Sequence, residues 1–96
     1  MKILAIEKDL KAVDWEKESQ TLNEEALLVF ELYQEEIIRE IYFSDSKNAI
    51  LILECEDKSE ANSILNDFPL VKKGLIEFEI LELQAYTGFS RLMNMK

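Results

Sequence analysis

The side chains in this chain that could do chemistry are carboxylates, a few cations, three tyrosines and one thiol, because it contains no histidine. That absence removes Ser-His-Asp and Cys-His nucleophile systems, histidine-ligated zinc and haem, and the usual neutral-pH proton shuttle. One cysteine, Cys55, cannot build a thiolate metal site or an intrachain disulfide. Only two glycines, Gly74 and Gly88, leave no room for a glycine-rich phosphate loop.

What remains is proton transfer by a carboxylate. A Glu moved out of water and placed near other acids holds its proton more tightly, which makes it a usable base or acid near neutrality. Glu7 and Glu54 are the candidates, since each sits in an apolar, strand-like stretch. Tyr42 is the candidate donor to a developing enolate oxygen, and Arg39 the candidate holder of a substrate carboxylate. Trp15, in a polar segment, is the candidate lid. Each has a plainer reading: Arg39 and Glu54 as a structural ion pair, Trp15 as a loop anchor, Cys55 as a small buried hydrophobe.

These residues are positioned by a simple order of elements. "KILAIEK" (2–8) reads as a first strand, followed by a polar stretch to Gln20. Thr21 and Glu24 have capping-box spacing, so a helix is expected there, with Leu22, Ala26, Val29, Phe30 and Tyr33 on one stripe. Leu27, Leu28 and Leu32 widen that stripe and predict burial on more than one side. "IIREIYF" (37–43) and "AILILECE" (49–56) read as strands joined by a "SDSKN" turn, the latter central and covered on both faces. A second helix is expected from Asp57 or Ser59, carrying Ala61, Ile64, Leu65 and Phe68 and ended by Pro69. The last strand runs from Ile76, with Ile76, Phe78 and Ile80 on one face and Glu77 and Glu79 on the other.

The order β-α-β-β-α-β is the ferredoxin-like α+β pattern: a four-stranded antiparallel sheet with two helices on one face. The other face is left open. Glu77, Glu79, Glu7, Glu54 and Arg39 are expected to share it with Ile3, Ala5, Ile50, Ile52, Leu81 and Leu83. Such a face meets either water or a second copy, and its many apolar residues favour the second copy.

"LILECEDKSEANSILNDFPL" followed by "IEFEILEL" resembles the second half of the muconolactone isomerase-like proteins, of the dimeric α/β-barrel superfamily. The shared pattern is an apolar strand, an acidic turn into a helix, a helix end like Phe68-Pro69-Leu70, then the alternating strand of Ile76 to Leu83. Two positions depart from it. Glu82 stands where a strand-ending proline is usual, and the turn Gln34-Glu35-Glu36 has no glycine. The resemblance implies a ferredoxin-like protomer, a sheet-to-sheet homodimer forming a dimeric α/β-barrel, and chemistry with no metal or organic cofactor.

Twenty acids against eleven bases, a net charge of −9, argue against nucleic acid or an anionic membrane as partner. The opening apolar run is shorter than a signal-peptide core, and the expected location is cytoplasmic. Residues 1–83 are expected to form the protomer. Residues 84–96, with Tyr86, Phe89, Leu92, Met93 and Met95, form an apolar tail expected to pack on the partner subunit. Two functions stand: a small-molecule-binding protein, as a cofactor-free isomerase or lyase acting on a small organic acid, or a non-catalytic assembly protein whose acidic sheet face is buried in the dimer.

Overall fold

A computed structural model describes residues 1–93. The chain folds as β1 (Lys2–Asp9), a 3-10 turn (Trp15–Glu18), α1 (Ser19–Gln34), β2 (Ile38–Phe43), β3 (Ala49–Glu54), α2 (Lys58–Asn66), α3 (Pro69–Lys72), β4 (Ile76–Leu83) and α4 (Ser90–Met93). All strand pairs are antiparallel and the sheet order is β2-β3-β1-β4. The fold is therefore the ferredoxin-like α+β arrangement expected from the sequence, with β3 and β1 central.

The register decides which side chains meet the helices. Ile3 pairs with Leu53 and Glu82, and Ala5 with Leu51 and Ile80. Ile3, Ala5, Leu51 and Leu53 are almost wholly buried, together with Ile38, Leu65 and Phe68. This is the helix-covered face, so Ile3 and Ala5 do not lie on the open face where they were expected. Both alternating sets of β1 are apolar, and a period of two cannot choose between them. The open face instead carries Leu4, Ile6, Ile50, Ile52, Leu81 and Leu83, with Glu77 and Glu79 as expected. In β2 a register shift between Ile38 and Glu40 re-aims the strand, so that Ile41 and Phe43 join the helix side and Tyr42 the open side.

Several local expectations are revised. Helix α1 starts before Thr21: Asp14 caps the 3-10 turn, accepting from the Glu16 amide at 3.2 Å, and that turn runs into the helix. The buried Thr21 hydroxyl donates to Glu18 Oε2 at 3.0 Å and accepts from Lys73 Nζ at 2.8 Å, which ties α1 to the end of α3. Asp57 is the cap of α2, its Oδ1 accepting from the Glu60 amide at 2.8 Å. Pro69 opens a separate one-turn helix instead of merely ending α2, because its missing N–H costs nothing at a first helical position. Of α1, only Thr21 and Leu32 are buried. Leu22, Phe30 and Tyr33 of the expected stripe, and Leu27 beside it, are exposed. Met95 of the tail lies outside the described residues.

Candidate functional site

Where the helix-covered face runs out of core, a cavity opens between α1 and the sheet. It measures about 440 Å³ and is walled by Leu22, Ala26, Val29, Phe30 and Tyr33 of α1, Ile41 and Phe43 of β2, Ala49 and Leu51 of β3, and Phe68, Leu70 and Phe78. Phe68 and Phe78 meet edge to face, with centroids 5.5 Å apart, and form part of its floor. The wall is apolar except for two carboxylates, Glu7 of β1 and Glu25 of α1.

Glu7 reaches this cavity because it continues the Ile3–Ala5 side of β1 and pairs with Phe78. It was expected on the open face, and the register corrects that placement. Burial raises its pKa above the ordinary carboxylate value, opposed by the Asn48 side chain, whose Nδ2 donates to Oε2 at 3.2 Å, and by the Ala49 backbone. Asp9, which shares the Asn48 amide at 3.4 Å, raises it further. Glu25 is likewise pushed up, first by burial and then by the charge of Glu7, while the Leu70 amide donating to its Oε1 at 3.0 Å works against this.

A second lobe of about 570 Å³ continues outward past Glu7, Leu22, Phe43 and Leu70 to Trp15, Ser44, Asp45 and Lys47. Trp15 thus stands at the mouth, partly exposed. Lys47, in the β2–β3 turn with φ 63°, is the one cation among the described residues that lines either lobe.

The other expected site residues are not part of this cavity. Tyr42 lies on the open sheet face and donates to Glu40 Oε1 at 2.8 Å, a bond that holds its hydroxyl proton more tightly and raises its pKa. Glu54 pairs with Lys2, five residues from Glu7 along β1, roughly 17 Å away and on the opposite face. Its Oε2 is 3.4 Å from the Met1 amine. Arg39 neither pairs with Glu54 nor reaches the cavity: its Nε donates to the Glu36 carbonyl at 2.6 Å, held beside the end of α1 by the β2 irregularity. Cys55 is buried in the core and its thiol is pushed up by that burial and by neighbouring carboxylates, so it packs as an inert hydrophobe.

Glu25 is the residue that sequence reasoning missed. The signal was present: Leu22, Glu25, Ala26 and Val29 share one helical face, and an acid inside an apolar stripe is exceptional. Among the described residues no group of three or more Cys, Asp or Glu is arranged to hold a metal ion. No described helix is long and apolar enough to cross a membrane.

A ferredoxin-like domain with an acid-bearing apolar cavity between helix and sheet is the class of protein this geometry defines. No family model matches the chain, and no curated protein matches it. Among solved structures it is similar to the 5-chloro-2-hydroxyhydroquinone dehydrochlorinase TftG from Burkholderia phenoliruptrix AC1100, in complex with 2,5-dihydroxybenzoquinone. The TM-score is 0.70 at 17% identity, covering 92% of this chain and 98% of that one. The likeness is one of fold.

Proposed function

We propose that this protein binds a small, largely apolar molecule between α1 and the sheet and moves a proton on it without a cofactor. The carrying observation is Glu7, a carboxylate with a raised pKa in a cavity of about 440 Å³ whose other walls are apolar apart from Glu25. Glu7 is the base that takes a proton from an activated C–H or O–H and returns it at a second position, an isomerisation, or leaves it removed as a leaving group departs, a lyase reaction. Glu25 is the second acid of the cavity, itself made more proton-retentive by burial and by the charge of Glu7, and Trp15 covers the entrance. The fold likeness to a dehydrochlorinase in complex with a quinone supports a small-molecule enzyme at that general level.

The lining also bears on ligand class. Among the described residues a small organic acid would find only Lys47 as a countercharge, because Arg39 lies elsewhere. A neutral molecule with an acidic hydrogen suits two carboxylates and a ring of aromatic side chains better.

We further propose a cytoplasmic homodimer closed through the open sheet face. The support is a row of Leu4, Ile6, Ile50, Ile52, Leu81 and Leu83, rimmed by the satisfied pairs Lys8–Glu79 at 2.8 Å and Tyr42–Glu40 at 2.8 Å. That same rim favours the second reading, an assembly protein whose acidic face needs no ligand. Native mass spectrometry beside the denatured mass separates the two. A dimer carrying extra non-covalent mass supports the binding protein, a clean dimer shifts the weight to assembly, and a monomer at micromolar concentration contradicts the dimer.

A further inference from the structure

We propose that Asn48 is the positioning residue of the cavity: its side-chain amide, fixed by the turn between β2 and β3, holds the Glu7 carboxylate as an aimed, ionised base. The inference rests on the proton-transfer reading above and adds the residue through which Glu7 is made fit for it.

The turn does not need this amide for its own closure. The Ser44 N–H donates to the Asn48 carbonyl at 2.9 Å, the Asn48 backbone N–H to Ser44 Oγ at 3.2 Å, and the Lys47 N–H to the Ser44 carbonyl at 2.9 Å. Lys47 takes the left-handed conformation of the reversal, at φ 63°. Asn48 therefore enters β3 with both backbone polar groups paired and its side chain spare.

That side chain reaches the neighbouring strand. The β1–β3 register ends at Ile6–Ile50. Beyond it Asn48 makes the cross-strand link, Nδ2 donating to Glu7 Oε2 at 3.2 Å and to Asp9 Oδ1 at 3.4 Å. Ionised carboxylates only accept, so the NH₂ end of the amide must face them, and both its hydrogens are committed. Among the described residues Asn48 is the one side-chain donor to Glu7.

A neutral donor is what a carboxylate base needs at this position. The base must be ionised, must keep its affinity for a proton, and must point at the proton it takes. Burial favours the protonated form of Glu7, whereas a cation beside it would stabilise the anion so well that basicity was lost. The amide lies between these extremes. With the Ala49 backbone it opposes the effects of burial and of the Asp9 charge, while anchoring one oxygen at the cavity wall. The other ionisable groups lining the two lobes are Glu25 and Tyr33 of α1, with Asp45 and Lys47 of the turn.

The test follows the protonation of Glu7 with no ligand present, from the ¹³C shift of its side-chain carboxyl against pH, assigned by its loss in Glu7→Gln. In Asn48→Ala, Glu7 is expected to hold its proton at least about threefold more tightly, because one donor to the anion is gone. Asn48→Asp places an acceptor where the donor was and should strengthen proton binding further. Asp9→Asn removes a neighbouring charge and should act in the opposite direction. In the parent, the Asn48 side-chain amide signals should move through the Glu7 midpoint. A Glu7 titration that is unchanged or moves downward in Asn48→Ala, or amide signals indifferent to Glu7, would overturn the inference. An asparagine that served the turn alone would lower stability and leave the titration where it was. Where Asn48→Ala does not fold, Asn48→Ser keeps a turn-forming residue without the reach to both acids, and the same tightening is expected. The expected titration in a parent that binds no neutral probe would defeat the proton-transfer reading and keep the Asn48 clamp. An unchanged titration in a protein that does bind one would defeat the clamp and keep the reading.

Discussion

Glu7 of β1 and Glu25 of α1 enter one apolar cavity from the sheet side and the helix side, and the charge of the first raises the pKa of the second. Burial is the larger cause for both. A carboxylate with a raised folded pKa binds more protons folded than unfolded, so its contribution works against stability as pH rises. The loss begins near the unfolded value of about 4.3 and is complete above the folded pKa. Glu7→Gln and Glu25→Gln should each flatten the fall in stability from about pH 4.5 upward, and each should be at least as stable as the parent at pH 7.5. Urea unfolding at pH 5 and pH 7.5 checks this, and a steeper fall in either variant would contradict the placement.

The turn after α1 gives a backbone prediction. Glu36 has φ 65°, a left-handed conformation in the position following a helix, where glycine is favoured. Glu36→Gly should stabilise the protein by about 0.5–1 kcal/mol. Gly74 has φ 71° and open space where a Cβ would go, so Gly74→Ala should cost about 1 kcal/mol from backbone strain alone. Thermal melts of both variants test the opposite signs.

Asp57 and Ser59 were both reasonable caps for α2, and only Asp57 accepts the Glu60 amide. Asp57→Ala should therefore destabilise by about 1 kcal/mol, while Ser59→Ala should change little. Equal effects would mean that the cap is shared.

Phe68 is buried between the core and the cavity floor. Phe68→Ala should cost about 3–5 kcal/mol, a large part of the stability of a domain this small, and chemical denaturation would show it as a lowered midpoint.

The sequence made the fold legible because the period-two alternation of Ile76–Leu83 and the capping and turn residues agree on one order of elements. It made the site less legible for identifiable reasons. β1 is apolar on both alternating sides, so the pattern groups Glu7 with the acids of the open face although it continues the Ile3–Ala5 row. The irregularity at Arg39 changes which β2 side chains face the helices, and no residue type announces it. Glu36 carries the turn that a glycine would have marked. The excess leucine and phenylalanine of α1 is legible, but the burial on more than one side that it predicts is not met, since of α1 only Thr21 and Leu32 are buried.

The central claim is that a small molecule occupies the cavity between α1 and the sheet, beside Glu7. Amide spectra of the ¹⁵N-labelled protein, recorded against a panel of neutral phenol-sized probes, test it most directly. Binding should shift Glu7, Glu25, Phe30, Leu51 and Phe78 and be altered by Glu7→Gln. Shifts confined to Leu4, Ile52 and Leu81 on the open sheet face, or none across the panel, would contradict it.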